Sequence, residues 1–154
     1  RRHNYRLLIR FALEQTTDCR LWITVTDTAM ATMAASDDPN APSIYAGLRY
    51  STGASDTTFR FASKDGTTQN LVDSTIAVDT NRHYLLISTN ETTPSVTITL
   101  YNDSLSQQAT NTFTSNLPGT STQLQAQIVI RTLAAAAKIA RCYGITAQTR
   151  INML

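Results

Sequence analysis

The stretch Ile44–Thr68, IYAGLRYSTGASDTTFRFASKDGTT, decides the fold. Ile44 to Tyr50 and Thr57 to Ser63 read as two strands, and the Ser, Thr, Gly and Asp residues of Ser51 to Asp56 form the turn between them. Asp65-Gly66 is a tight-turn dipeptide, because glycine supplies the positive φ that such turns require. Thr67 to Val72 then reads as a return strand and Asp73-Ser74 as a further turn. This is a meander whose turn signals fall at the spacing of a β-sandwich. Its aspartates are explained by turns and need no catalytic role.

Working outward, the same period of two recurs along the chain. Tyr5, Leu7, Ile9, Phe11 and Leu13 share one face of their segment, with Arg6 and Arg10 on the other. Leu21, Ile23 and Val25 alternate with Thr24 and Thr26. Val96, Ile98 and Leu100 alternate with Ser95, Thr97, Thr99 and Tyr101, and Leu124, Ala126, Ile128 and Ile130 with three glutamines. Strands that are apolar on one side and polar on the other belong to antiparallel sheets with one solvated face. Such sheets bury their apolar stripes against each other, so the expected architecture is all-β, a two-sheet antiparallel jelly-roll sandwich.

Three stretches break the alternation. Asp27 to Ser43 is Ala-rich, then Pro-rich, and reads as a long surface loop. Ser104 to Thr122 reads as a second polar connection. Thr132 to Ala137 carries an alanine run and reads as a turn or short helix, followed by a final strand from Lys138 to Ala147.

The composition fits this reading. Of 154 residues, 42% are hydrophobic and only 16% charged, so the polar surface must come from uncharged groups such as threonine. That length suits one domain, taken as residues 1–154. The net charge of +2 argues against a dedicated nucleic-acid surface. No apolar run approaches the length of a membrane span, and no signal peptide is evident. Arg1, Arg2, Arg6 and Arg10 make the first residues basic, which fits either a solvated strand face or an anionic partner. Cys19 and Cys142 form no disulfide framework, and both free thiols and a single bridge stay open. A chain that begins at Arg1 instead of Met is expected to be part of a longer protein.

The order of these segments carries a resemblance. The succession of Arg20-Leu21-Trp22, the GLRY…D hairpin (Gly47 to Asp56), the Asp65-Gly66 turn, the strand entry at His83-Tyr84 and the Asn116-Leu117-Pro118 loop resembles concanavalin A-like lectin/glucanase jelly-roll domains of phage and other viral structural proteins. The resemblance implies a non-catalytic structural domain on a virion surface, in a tail fibre, appendage or capsid-surface protein. Its implied partners are other virion proteins and copies of itself, with a trimer as the implied number. Such domains usually have further strands ahead of the segment equivalent to Tyr5–Leu13, so upstream residues are expected. Without them, Tyr5–Leu13 would be an unpaired edge that another chain covers. The alternative reading is a carbohydrate-binding module for a host-surface glycan; a degenerate glycosidase comes third.

The chemistry favours binding over turnover. A retaining glycosidase needs two carboxyl groups about 5 Å apart, yet the two glutamates, Glu14 and Glu91, both fall in expected turns. No strand carries carboxylates at i and i+2. His83 reads as a strand-end residue. The cysteines have no partners at zinc spacing. Ser36, Asp37, Asp38 and Asn40 offer oxygens in one loop, but their spacing matches no calcium motif. No metal and no cofactor is expected. For a carbohydrate platform, the candidates are Trp22, Tyr45 and Tyr101, which fall opposite the aliphatic stripes of their strands, with Arg49 and Arg60 on neighbouring strands.

Overall fold

The computed structural model describes residues 2–39, 43–90, 92–119 and 122–152. Its strands are β1 (Arg2–Leu13), β2 (Cys19–Thr26), β3 (Ile44–Ser51), β4 (Thr58–Asp65), β5 (Gln69–Ala77), β6 (His83–Asn90), β7 (Ser95–Asn102), β8 (Gln107–Phe113), β9 (Gln125–Thr132) and β10 (Ala140–Asn152). They form two five-stranded sheets in the orders β10-β1-β6-β7-β8 and β5-β4-β3-β2-β9. Every pairing is antiparallel. The chain changes sheet after β1, β5, β8 and β9, which makes the jelly-roll sandwich.

The alternation places the core between the sheets. Leu7, Ile9, Phe11, Leu85, Ile87, Val96, Ile98 and Leu100 from the first sheet meet Leu21, Ile23, Val25, Leu48, Tyr50, Phe59 and Phe61 from the second, all buried. Full burial of each large apolar side chain stabilises the fold by about 1.5–3 kcal/mol. At the centre of the second sheet, a Cβ on Gly47 would stand 2.1 Å from the Ile23 carbonyl oxygen, so only glycine fits there. At the Asp65-Gly66 turn, Gly66 has a φ of 105° and the Asp65 carboxylate accepts bonds from the Thr67 and Thr68 amides. Those two amides and the Thr67 hydroxyl hold the Asp65 carboxyl at a pKa of about 2.

Several local expectations are corrected. Tyr5–Leu13 is no edge, because β1 lies between β10 and β6 and pairs with both. The argument for a covering chain at β1 therefore loses its premise. β5 runs through Asp73-Ser74 to Ala77, with a register irregularity opposite Thr58–Arg60 where a turn was expected. Asp27–Ser43 holds a helix, α1 (Met30–Ala35), packed on β2 and β9. The alanine run after Thr132 is not helical, and the last strand begins at Ala140, not Lys138. The Ser104–Thr122 connection contains β8. Thr99 is buried although it faces outward, its hydroxyl 2.9 Å from that of Thr110. Cys19 is a buried and Cys142 an exposed free thiol.

Candidate functional site

The two outer faces of the sandwich have opposite characters. On the β5-β4-β3-β2-β9 sheet, outward residues form cross-strand rows: Val129, Trp22, Arg49 and Arg60 in one, Gln125, Thr26, Tyr45 and Lys64 in another. The strap formed by α1 and the residues after it lies across this face. Met33 packs with Trp22, Tyr45, Ala62 and Val129 in a second buried cluster. Trp22 and Tyr45 meet edge to face at 5.3 Å, and each is 0% exposed.

Polar bonds fasten the strap. Arg20 grips Asp37 with Nε–Oδ1 of 2.5 Å and Nη2–Oδ2 of 2.9 Å, and donates to the Ala34 carbonyl. The Trp22 indole N–H donates to the Ser36 carbonyl at 3.2 Å. Arg49 donates to the Asp37 carbonyl. Lys64 Nζ donates to Asp38 at 2.6 Å and to the Pro39 carbonyl. Burial pulls the Asp37 carboxyl up, but the Arg20 guanidinium and the Ser51 hydroxyl outweigh it and hold the pKa below the usual value. Burial raises the Tyr45 hydroxyl strongly, with the nearby Asp38 adding to the effect. Arg49 also makes a buried two-point pair with Asp56, which in turn accepts the Ser51 amide and lies 3.3 Å from Arg60.

The five candidate residues are therefore divided. Trp22, Tyr45 and Arg49 lie together under the strap, Arg60 beside them joined to Asp56 and Asp73, and Tyr101 on the other sheet. A sugar reaching Trp22 would have to displace Met33 and break the Arg20 and Lys64 clasps. The aspartates of the loop are engaged as clasps to those cations, while Asn40 lies outside the described residues. No three His, Cys, Asp or Glu side chains cluster to hold a metal among the described residues.

The outer face of the β10-β1-β6-β7-β8 sheet is open. One row runs Gln148, Arg6, Ser88, Thr97, Thr112; the next Thr146, Leu8, Leu86, Thr99, Thr110; a third Gly144, Arg10, Tyr84, Tyr101. In the third row the Arg10 guanidinium lies 5.3 Å from the Tyr84 ring centre and 5.6 Å from that of Tyr143, which the β10 bulge brings alongside. Arg82 lies 4.9 Å over Tyr143, and Arg10 pairs with Asp103 at 2.7 Å. These stacked cations and rings leave Tyr143 44% exposed.

Two polar clefts flank this face. One of ≈ 660 Å³ is lined by Asn4, Arg6, Ser88, Thr89, Asn90, Thr97 and Gln148. The other, of ≈ 570 Å³, lies at the opposite strand ends among Asp79, Arg82, His83, Asn102, Asp103 and Gln108. His83 is buried there, with Nε2 2.8 Å from Asp79, Nδ1 3.1 Å from Gln108, and its ring against Phe11 and Phe59. It is a strand-end residue tied into the core. Sequence reading missed Tyr84, the cross-strand neighbour of Tyr101, and Tyr143, which shares the Arg10 guanidinium with Tyr84. For Tyr84 the signal was present, since it alternates with Leu85 and Ile87; for Tyr143 a bulge shifts the phase.

No family model matches the chain, and no curated protein matches it. Solved structures do. The chain is similar to the lectin UEA-II complexed with galactose, at 8% identity and a TM-score of 0.64, covering 98% of this chain and 74% of that one. It is equally similar to lectin II from Ulex europaeus, at 8% identity and a TM-score of 0.65, with the same coverage. At that identity the likeness is one of fold: the sandwich is a concanavalin A-like, legume-lectin-type jelly roll.

Proposed function

We propose that this chain is a non-catalytic carbohydrate-binding domain whose binding surface is the open outer face of the β10-β1-β6-β7-β8 sheet. The observation that carries the reading is the contrast between faces. One aromatic set is sealed under a strap, whereas the tyrosine–arginine row and its flanking polar clefts stand open to solvent. Rings supply flat apolar surface for the C–H face of a sugar, and the amides, hydroxyls and guanidinium forks supply directional bonds to its hydroxyls. The fold neighbours are lectins, one of them bound to galactose, which supports the same class of ligand. Neither neighbour supports a virion role, so the structural-domain reading that the sequence resemblance put first gives way to the carbohydrate-binding alternative.

Binding without turnover is supported by where the carboxylates go. Asp103 is held by Arg10, Asp79 by His83, Asp73 by Arg60 and Glu14 by Arg141. Glu91 lies outside the described residues. The test is a glycan array followed by calorimetry on the best binder. Tyr101→Ala and Tyr84→Ala should each weaken binding, while Leu71→Ala, an exposed change on the opposite sheet, should leave it unchanged. Undiminished affinity in both tyrosine variants, or steady hydrolysis of the bound oligosaccharide, would refute the proposal.

A further inference from the structure

The geometry points to an acidic saccharide, one that presents a single carboxylate to Arg6 in the larger cleft. This rests on the carbohydrate-binding reading and narrows it to a class of ligand. Three observations carry it. First, Arg6 is exposed and has no hydrogen-bond or ion-pair partner among the described residues, unlike Arg10, Arg20, Arg49, Arg60 and Arg141. Second, the other described residues lining the cleft are neutral and polar, with no carboxylate among them. Third, Arg6 stands in the middle of a row, with Gln148 on one neighbouring strand and Ser88 on the other.

That row is built to surround one anion with neutral hydrogen-bonding groups. Adjacent strands lie about 4.8 Å apart, so Gln148 to Thr97 spans on the order of 14 Å, room for a charged sugar and its neighbour. A planar guanidinium matches a carboxylate with two parallel N–H···O bonds, and such charge-assisted bonds are stronger than neutral ones. The Thr97 hydroxyl already joins that of Thr112 at 2.9 Å, which fixes one flank of the cleft. Among the described residues lining the cleft Arg6 is the one cation, which suits one negative charge. A polysulfated chain would need a basic track, and on the Tyr84 side of Arg6 the next cation along β1, Arg10, is already bound to Asp103. In the opposite cleft Asp103 already faces Arg82 and Arg10, and Asp79 faces His83, so no unpaired cation is offered there among the described residues and neutral sugar hydroxyls suit it better.

The test compares lactose with 3′-sialyllactose, a neutral with a uronic-acid oligosaccharide, and heparin, by calorimetry at low and at raised salt. At least one carboxylate-bearing sugar should bind more tightly than its neutral partner, and the two pairs separate a sialic from a uronic source. Arg6→Gln should weaken that binding about tenfold or more, with Arg6→Lys intermediate and both variants melting like the parent. Added salt should weaken the acidic sugar only. Equal affinity for neutral and acidic partners, or an Arg6→Gln variant that binds as well as the parent, overturns the inference and leaves the carbohydrate reading standing. Binding of heparin alone also overturns it. Failure to bind any saccharide, on these probes and on an array, overturns both.

Discussion

Replacing Asp56 should destabilise the protein more than replacing its partner Arg49. The two side chains are 3% and 6% exposed, and they meet through two bonds of 3.0 and 3.2 Å. Asp56 also accepts the Ser51 amide at 3.0 Å and sits 3.3 Å from Arg60, so one carboxylate accepts from Arg49 and Ser51 and faces a second cation. Asp56→Asn leaves two guanidinium groups crowded around a neutral amide, the buried one with a single amide oxygen and the Asp37 carbonyl in place of a charged carboxylate. Removing one member of a buried pair costs about 3–5 kcal/mol, because the other charge stays behind uncompensated. Arg49→Met leaves Asp56 with Arg60 and the Ser51 amide, and Met fills most of the vacated space. Its loss should therefore be smaller, about 1–3 kcal/mol. At this chain length each kcal/mol moves Tm by about 2–4 °C, so urea titration and calorimetry resolve the two variants. A loss below about 1 kcal/mol for Asp56→Asn, or a greater loss for Arg49→Met, would refute the account of one anion organising two cations.

Three further outcomes are expected. Ile98→Ala should cost about 2–5 kcal/mol by chemical denaturation and Thr97→Ala under about 1, and similar losses would mean that the inward register of β7 is wrong. The depressed carboxyls of Asp37, Asp65, Asp73 and Asp79 contribute stability that is fully present above the unfolded value of about 3.9 and is lost as pH falls through the folded values, about 2 for Asp65. A denaturation series should thus be flat above about pH 5 and decline towards pH 2; a decline that starts near neutrality would contradict it. An aromatic disulfide reagent should label Cys142 quickly in the native protein and Cys19 only after unfolding, because burial both hides the Cys19 thiol and raises its pKa.

The sandwich was legible because its central strands carry residues that must face a core. Val96, Ile98 and Leu100 can sit in one register only, and a one-residue slip would put all three in water. The edges were harder to read for the same reason. β8 offers Ala109 and Asn111 at inward positions, which an edge strand tolerates, so its sequence looks like a connection. β10 is an edge strand whose inward Ile145 is 52% exposed, and its bulge at Tyr143 breaks the alternation. Helix propensity misled in both directions. The alanine run after Thr132 has nothing to bury and is shaped by the Thr132 hydroxyl, which donates to Ala136 and accepts from the Ala134 amide. The segment around Met33 became helical because Trp22, Tyr45 and Val129 offer its methionine a slot. Of the surface proposed for binding, sequence singled out Tyr101 but not Tyr84 or Tyr143. It could not see that the strap spends Trp22 and Tyr45 on the interior, since the clasps from Arg20 and Lys64 join positions far apart in the chain.

The sealed indole has a consequence for how this protein can be watched. Trp22 is the sole tryptophan, shielded from water, with its N–H tied to the Ser36 carbonyl. Its emission should be blue-shifted and indifferent to acrylamide or iodide. The two sheets are stacked about 10 Å apart, and the indole lies on the far side of that stack from the open tyrosine row. A sugar titrated onto the tyrosine row should leave tryptophan emission untouched while changing tyrosine absorbance or the heat of mixing. Tryptophan emission instead becomes a selective optical gauge of the strap, shifting red when its clasps let go even while the sandwich beneath stays folded.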